Sequence, residues 1–213
     1  MAIKRVVIFT GGNLGGWALS HILADDLLIG ADSGALFLIM NGFTPDLAIG
    51  DFDSVSGQEL SRIRSISKVT EQYDPVDKDY TDTELAFREA LSLNPQEVVL
   101  IGALGTRFDH SIANIHLLVM AQQSGISASI VDEHNEIRLV TDKLTIRQSG
   151  YANVSLLPLT PQVQGINLHG FRYPLHNAKL IMGQSLGISN VLEAASGQIT
   201  IEQGWLLVIQ SRD

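Results

Sequence analysis

The chain has 213 residues, room for one large domain or two small ones, and enough to bury a core without covalent staples. It contains no cysteine, which excludes disulfides, zinc thiolate sites, iron–sulfur clusters and thiol catalysis, and fits a reducing cytosol. With 14 Lys+Arg against 23 Asp+Glu the formal charge is −9, a poor match for nucleic acid, where affinity comes from neutralising phosphates.

In chain order, RVVIF reads as a short buried strand that stops at Gly11-Gly12. Its apolar core, VVIF, falls short of the ~7–15 residues of a signal peptide and the ~20 of a spanning helix, so the expectation is a cytoplasmic protein with no membrane partner. The glycine-rich GGNLGG that follows matches neither GxGxxG nor GxxxxGK[ST] and reads first as a turn. LLIGADSG leads into the helical ALFLIMNG, and DLAIG leads into a polar stretch. TDTELAFREALSL is a helix with capping-box spacing between Thr81 and Glu84. EVVLIGALG is a buried strand and turn. From Asp109 to Gln123, Ile112, Ile115 and Val119 fall on one helical face. This alternation predicts an α/β domain, a mostly parallel sheet flanked by helices.

After about Ser127 the pattern changes. ASIVDEHNEIRLV, KLTIRQ, YANVSLLPL, GINLHG, NAKLIMG and GQITIEQGWLLVIQS are short β-type runs punctuated by Gly, Pro and Asn, which predicts a C-terminal antiparallel β-sandwich. The expected domains are 1–126 and 127–213, with the boundary between about 125 and 148. Charge follows the same division. Residues 46–82 carry nine acids and four bases, whereas residues 150–213 carry three of each.

Three acidic motifs and one further aspartate stand out. IGDFDS supplies Asp51 and Asp53; DKDYTD supplies Lys78, Asp79 and Asp82; TRFDH supplies Arg107, Asp109 and His110; Asp32 lies in ADSGA. Each follows a predicted strand or opens a predicted helix, the end of an open α/β sheet where ligands collect. Any one of these aspartates reads equally as an N-cap or Asx turn. Together they make a cluster of like charges, which must share protons or bind a hard cation. Oxygen ligands without Cys or paired His point to Mg²⁺, and Lys78 and Arg107 are placed to hold phosphate oxygens.

ADSGA (31–35), PDLAIGDFDS (45–54), DKDYTD (77–82) and GALGTRFDHSIANIHLL (102–118) resemble, in order and spacing, the motifs of thiamine pyrophosphokinases. GFRYPL (170–175), GQSLGISN (183–190) and ITIEQGWLLVI (199–209) resemble that family's thiamine-binding domain. The resemblance implies transfer of the diphosphoryl group of ATP to thiamine, giving thiamine diphosphate and AMP. It also implies a homodimer with the active site between the N-terminal domain of one subunit and the C-terminal domain of the other. It assigns Mg²⁺ to Asp51, Asp53 and Asp82 with Asp32 nearby, the nucleotide pocket to Lys78, Asp79, Arg107, Asp109 and His110, and thiamine contacts to Ser189 and Asn190. The chain departs from the family in having Val191 where Glu often follows SN, and Thr106 where Gly is common. The residues taken alone also fit a non-catalytic nucleotide- or thiamine-binding protein, or a metal-dependent phosphohydrolase using the same aspartates; the intact aspartate set favours an enzyme.

Overall fold

RVVIF forms β1 (Arg5–Phe9), buried from Val6 onward because it is paired in parallel on both sides. Its neighbours are β2 (Leu27–Ala31) and β5 (Glu97–Ile101). The sheet extends through β3 (Leu47–Gly50) to β4 (Val69–Gln72) on one side and to β6 (Ser127–Val131) on the other. The resulting order is β4-β3-β2-β1-β5-β6, and every pairing is parallel. The computed structural model describes residues 3–74 and 79–213. Two compact units divide the chain, residues 1–133 and 134–213.

Strands buried on both faces need helices on both. Val7, Phe9, Leu28, Val99 and Ile101 pack under α1 (Gly16–Leu19) and α2 (Ser33–Met40), and α3 (Gly57–Ile66) lies beside α2. On strand alternation, Val6, Ile8, Ile29, Val98 and Leu100 face the opposite way. There α4 (Asp82–Ser92) crosses β1, β2 and β3, and α5 (Phe108–Gln123) lies beside α4. The sheet is therefore the expected parallel α/β layer.

Three local expectations meet a different outcome. The polar stretch after DLAIG is a helix, α3, opened by a complete capping box: Ser56 accepts from the Glu59 N–H, and Glu59 accepts from the Ser56 N–H. At α4 only half of the expected box forms. Thr81 accepts from the Glu84 N–H, while the Glu84 carboxylate turns to Arg88 one turn on, 2.8 Å away. In α5 the face carrying Ile112, Ile115 and Val119 is the outer one, with Ile112 40% exposed. The buried face runs instead through Ser111, Asn114, Leu117, Leu118 and Ala121.

The second unit is antiparallel throughout. One sheet has the order β7 (Asn135–Val140), β13 (Leu206–Ser211), β9 (Asn153–Pro158). The other has the order β11 (Leu175–Ile181), β10 (Gln162–His169), β12 (Ser196–Thr200), β8 (Lys143–Arg147). Val140, Leu156, Leu206 and Val208 from the first sheet meet Ile146, Val163, Ile166, Leu168 and Ile199 from the second in one apolar core, the expected sandwich. The run read as ASIVDEHNEIRLV is split between units. Its first half is β6, parallel to β5, and its second half is β7. A short apolar run does not reveal which way its partner points.

Candidate active site

The order of the first sheet reverses direction at β1, from which the chain moves outward to β2–β4 before returning to β5. Brackets of this kind open a crevice at the carboxyl ends of the strands. A cleft of about 300 Å³ lies there, lined by Gly11 and Gly12 after β1, Asp32 after β2, Asp82 at the start of α4, and Gly102, Ala103, Gly105, Thr106 and Arg107 after β5. Its floor depends on close backbone approach. A Cβ on Gly12 would sit 2.0 Å from the Gly102 carbonyl oxygen, and the Thr10 hydroxyl ties the same oxygen to β1 at 2.5 Å.

Carboxylate oxygens of Asp32, Asp51 and Asp53 lie within 4.8 Å of one another. Asp82 completes the group: its Oδ1 accepts from the Asp51 N–H at 3.2 Å. Gly50, at φ +146°, makes this possible, since a Cβ there would come 3.1 Å from Asp82 Oδ1 and 3.3 Å from the Asp32 nitrogen. Asp51 in turn accepts from the Asp53 N–H at 3.0 Å, which folds the DFD turn back on itself.

Asp32 is the most confined member. It sits at φ +52°, ahead of α2, and its Oδ2 accepts from the Ser54 hydroxyl at 2.5 Å. Burial pushes its carboxyl above the usual range, the Ser54 hydrogen bond opposes this, and the charges of Asp82 and Asp51 add to the rise. Its Oδ1 is buried with no hydrogen-bond partner. An orphaned anionic oxygen beside two more carboxylates is the donor set of a hard divalent cation that keeps part of its hydration, so these residues fit Mg²⁺.

On the β5 side, Arg107 and His110 line the cleft. Asp109 is not among the lining residues. It grips the Arg107 guanidinium through Nη2 at 2.6 Å and Nε at 3.3 Å, and that hydrogen bond is the main cause holding its carboxyl below the usual range. Asp79 is exposed just before α4 and outside the lining, and Lys78 falls outside the described residues. Sequence reasoning missed Asn114. It is buried one helical turn after His110, donates to the Ala103 carbonyl at 2.7 Å and lines the cleft. Its signal was a polar side chain in phase with His110 inside an apolar helix.

Ser189 and Asn190 lie in the second unit and behave differently from each other. Asn190 is 6% exposed and its amide is spent on backbone. Oδ1 accepts from the Tyr173 N–H at 3.1 Å and the Val191 N–H at 2.8 Å, and Nδ2 donates to the Tyr173 carbonyl at 2.7 Å. Ser189 is exposed at φ +57°, with its N–H donated to the Ser155 hydroxyl. Beside them is an apolar pocket of about 250 Å³, floored by Leu156 and Leu168 and edged by Tyr173, itself 61% exposed, with Leu186 and Ile188.

The family model "Thiamin pyrophosphokinase, catalytic domain" matches residues 20–130, and "Thiamin pyrophosphokinase, vitamin B1 binding domain" matches residues 141–206. The thiamine pyrophosphokinase of Bacillus subtilis is 32% identical over 219 aligned positions, covering 99% of this chain and all of that protein. Its crystal structure superposes with a TM-score of 0.91 at 31% identity, over 99% of this chain and 100% of that one. The thiamin pyrophosphokinase of Geobacillus thermodenitrificans follows at 0.88 and 30% identity, over 99% and 98%. That of Candida albicans, 17% identical over 99% and 90%, shares the fold at 0.82. With both family models matched in order and a full-length relative above 30% identity, the chain belongs to the thiamine pyrophosphokinase family.

Proposed function

We propose that this chain is an ATP:thiamine diphosphotransferase, producing thiamine diphosphate and AMP. The observation that carries the reading is the meeting of Asp32, Asp51 and Asp53 beside Asp82 at the mouth of a cleft that also holds Arg107. Mg²⁺ held by these aspartates would neutralise charge on the phosphate oxygens of ATP.

The remaining chemistry is positioning. Close-packed Gly12 and Gly102 let the nucleotide lie against backbone. Arg107 is exposed and paired with an exposed partner, so exchanging Asp109 for a phosphate oxygen costs little. Lys78 is assigned to the same phosphates on its motif. The acidic cleft suits the cationic thiazolium of thiamine, whose hydroxyethyl oxygen attacks the β-phosphorus in line while AMP leaves.

We assign the nucleotide and Mg²⁺ to the first unit and the thiamine ring to the second, near Ser189 and the Tyr173 pocket. On this reading Asn190 shapes the acceptor site without touching the acceptor. A homodimer, with each acceptor site supplied by the partner subunit, and a cytoplasmic location complete the proposal. Among the described residues no helix is long and apolar enough to cross a membrane.

The deciding experiment separates nucleotides after reaction with and without thiamine, free of adenylate kinase. AMP rising in step with thiamine diphosphate is expected. ADP with thiamine monophosphate would overturn diphosphoryl transfer, and equal ATP loss without thiamine would instead indicate a phosphohydrolase.

A further inference from the structure

The parallel sheet of the first unit is wider than the helix layer on one of its faces. Alternation puts Leu27 and Ile29 of β2, Leu47 of β3, and Val69 and Glu71 of β4 on that face. Register aligns Ile29, Leu47 and Val69 in a row across three strands. The helix above them, α4, packs on β1, β2 and β3, while β4 is the last strand in the order and keeps Val69 51% exposed. A groove of about 230 Å³ results, closed on the helix side by Leu93 and Glu89.

Its floor is apolar and its rim is acidic. Asp46 on the rim is already satisfied, accepting from the Leu28 N–H and pairing with Lys68 at 2.6 Å. Glu71 and Glu89 are not. Among the described residues neither has a cationic partner, and Glu71 takes only a 3.4 Å hydrogen bond from the Tyr73 hydroxyl. The Tyr73 phenol responds to this place: burial, then the charges of Glu71 and Glu89, push it above its ordinary range. The groove shares no lining residue with the cleft at the strand ends.

We propose that this groove binds a small organic cation, its apolar ring on the Ile29–Leu47–Val69 row and its positive charge between Glu71 and Glu89. A cationic ligand follows from charge complementarity, since Glu71 and Glu89 both line the groove and neither has a cationic partner among the described residues. The volume sets the size, being below the roughly 300–1,000 Å³ of pockets for drug-sized ligands and suited to a single ring. The proposal is independent of the reaction assigned above.

The test titrates benzylamine, cationic at pH 7, and its neutral counterpart benzyl alcohol into the full chain, followed by ligand-observed NMR. Saturable binding of benzylamine is expected, with benzyl alcohol about tenfold weaker. Glu71→Gln and Glu89→Gln should each weaken benzylamine about three- to fivefold, as fits partly exposed charge pairs. Val69→Lys, which hangs its own ammonium over the floor, should block the probe, and Asp51→Asn should leave it unchanged. Circular dichroism melts confirm that each variant is folded. Equal binding of the alcohol, undiminished binding to the double glutamine variant, or loss of binding in Asp51→Asn would each overturn the site.

Discussion

Asp51 and Asn190 mark two ways in which a side chain serves a site. Asp51 offers anionic oxygen within reach of Asp32 and Asp53, in a turn where its carboxylate accepts from the Asp53 N–H. Asp51→Asn and Asp53→Asn should each lose most turnover, because an amide oxygen is a poor substitute for a carboxylate at a hard cation. Both should melt at or above the parent temperature without Mg²⁺, since each relieves like-charge repulsion. The parent alone should gain thermal stability on adding Mg²⁺, by linkage. Near-parental activity in both variants would remove the metal assignment. Asn190 holds the Tyr173 backbone by one accepted and one donated hydrogen bond. Asn190→Ala strands both groups and should cost about 1–3 kcal/mol in urea unfolding. The KM for thiamine should rise more than kcat falls, and an unchanged KM would place the acceptor elsewhere.

Helix α3 shows at the level of the element how local chemistry sets stability. Glu59 accepts from both the backbone N–H and the hydroxyl of Ser56, which hold its carboxyl below the usual range, the backbone contributing more. A folded value below the unfolded one gives stability that is present above the unfolded pKa and lost as the pH falls through the folded value. Ser56→Ala, which removes both the cap and one hydrogen bond to Glu59, should therefore lower the urea midpoint at pH 7. The gap to the parent should narrow below about pH 4. A gap independent of pH would show that Glu59 takes no part. The sequence spells this cap as Ser56-x-x-Glu59, although GQELSRIRSI offers few apolar positions to mark a helix. The cleft is more legible in the sequence than the helices around it: IGDFDS closes β3, TRFDH leads from the β5 loop into α5, and Asp82 opens α4, and chemistry confined to such junctions shows as short motifs. The inward face of α5 was hidden for the opposite reason. Ser111 and Asn114 are buried because they satisfy Gly105 and Ala103, and hydropathy counts such residues as surface.

For the whole molecule, the place of β6 decides how the chain can be divided. Ile130 and Val131 are buried and β6 is hydrogen-bonded to β5, so a fragment of residues 1–133 keeps its sheet while one ending at Ile126 loses a strand. The longer fragment should fold and bind Mg·ATP, with no thiamine-dependent turnover; the shorter should be insoluble or molten by circular dichroism and dye binding. Full thiamine transfer by the longer fragment would contradict the division of labour between the units. The order of the strands also sets a timetable. The hydrogen bond that closes the cleft floor joins Thr10 to Gly102, 92 residues apart. At about 5–20 residues per second, a ribosome spends roughly 5–20 s between them. Until β5 is made, the only neighbour that can pair with β1 is β2, and the edge where β5 docks stays open. The aspartates that follow β2 and β3 are thus synthesised well before Arg107, and a nascent chain halted before residue 97 would present the acidic half of its cleft alone.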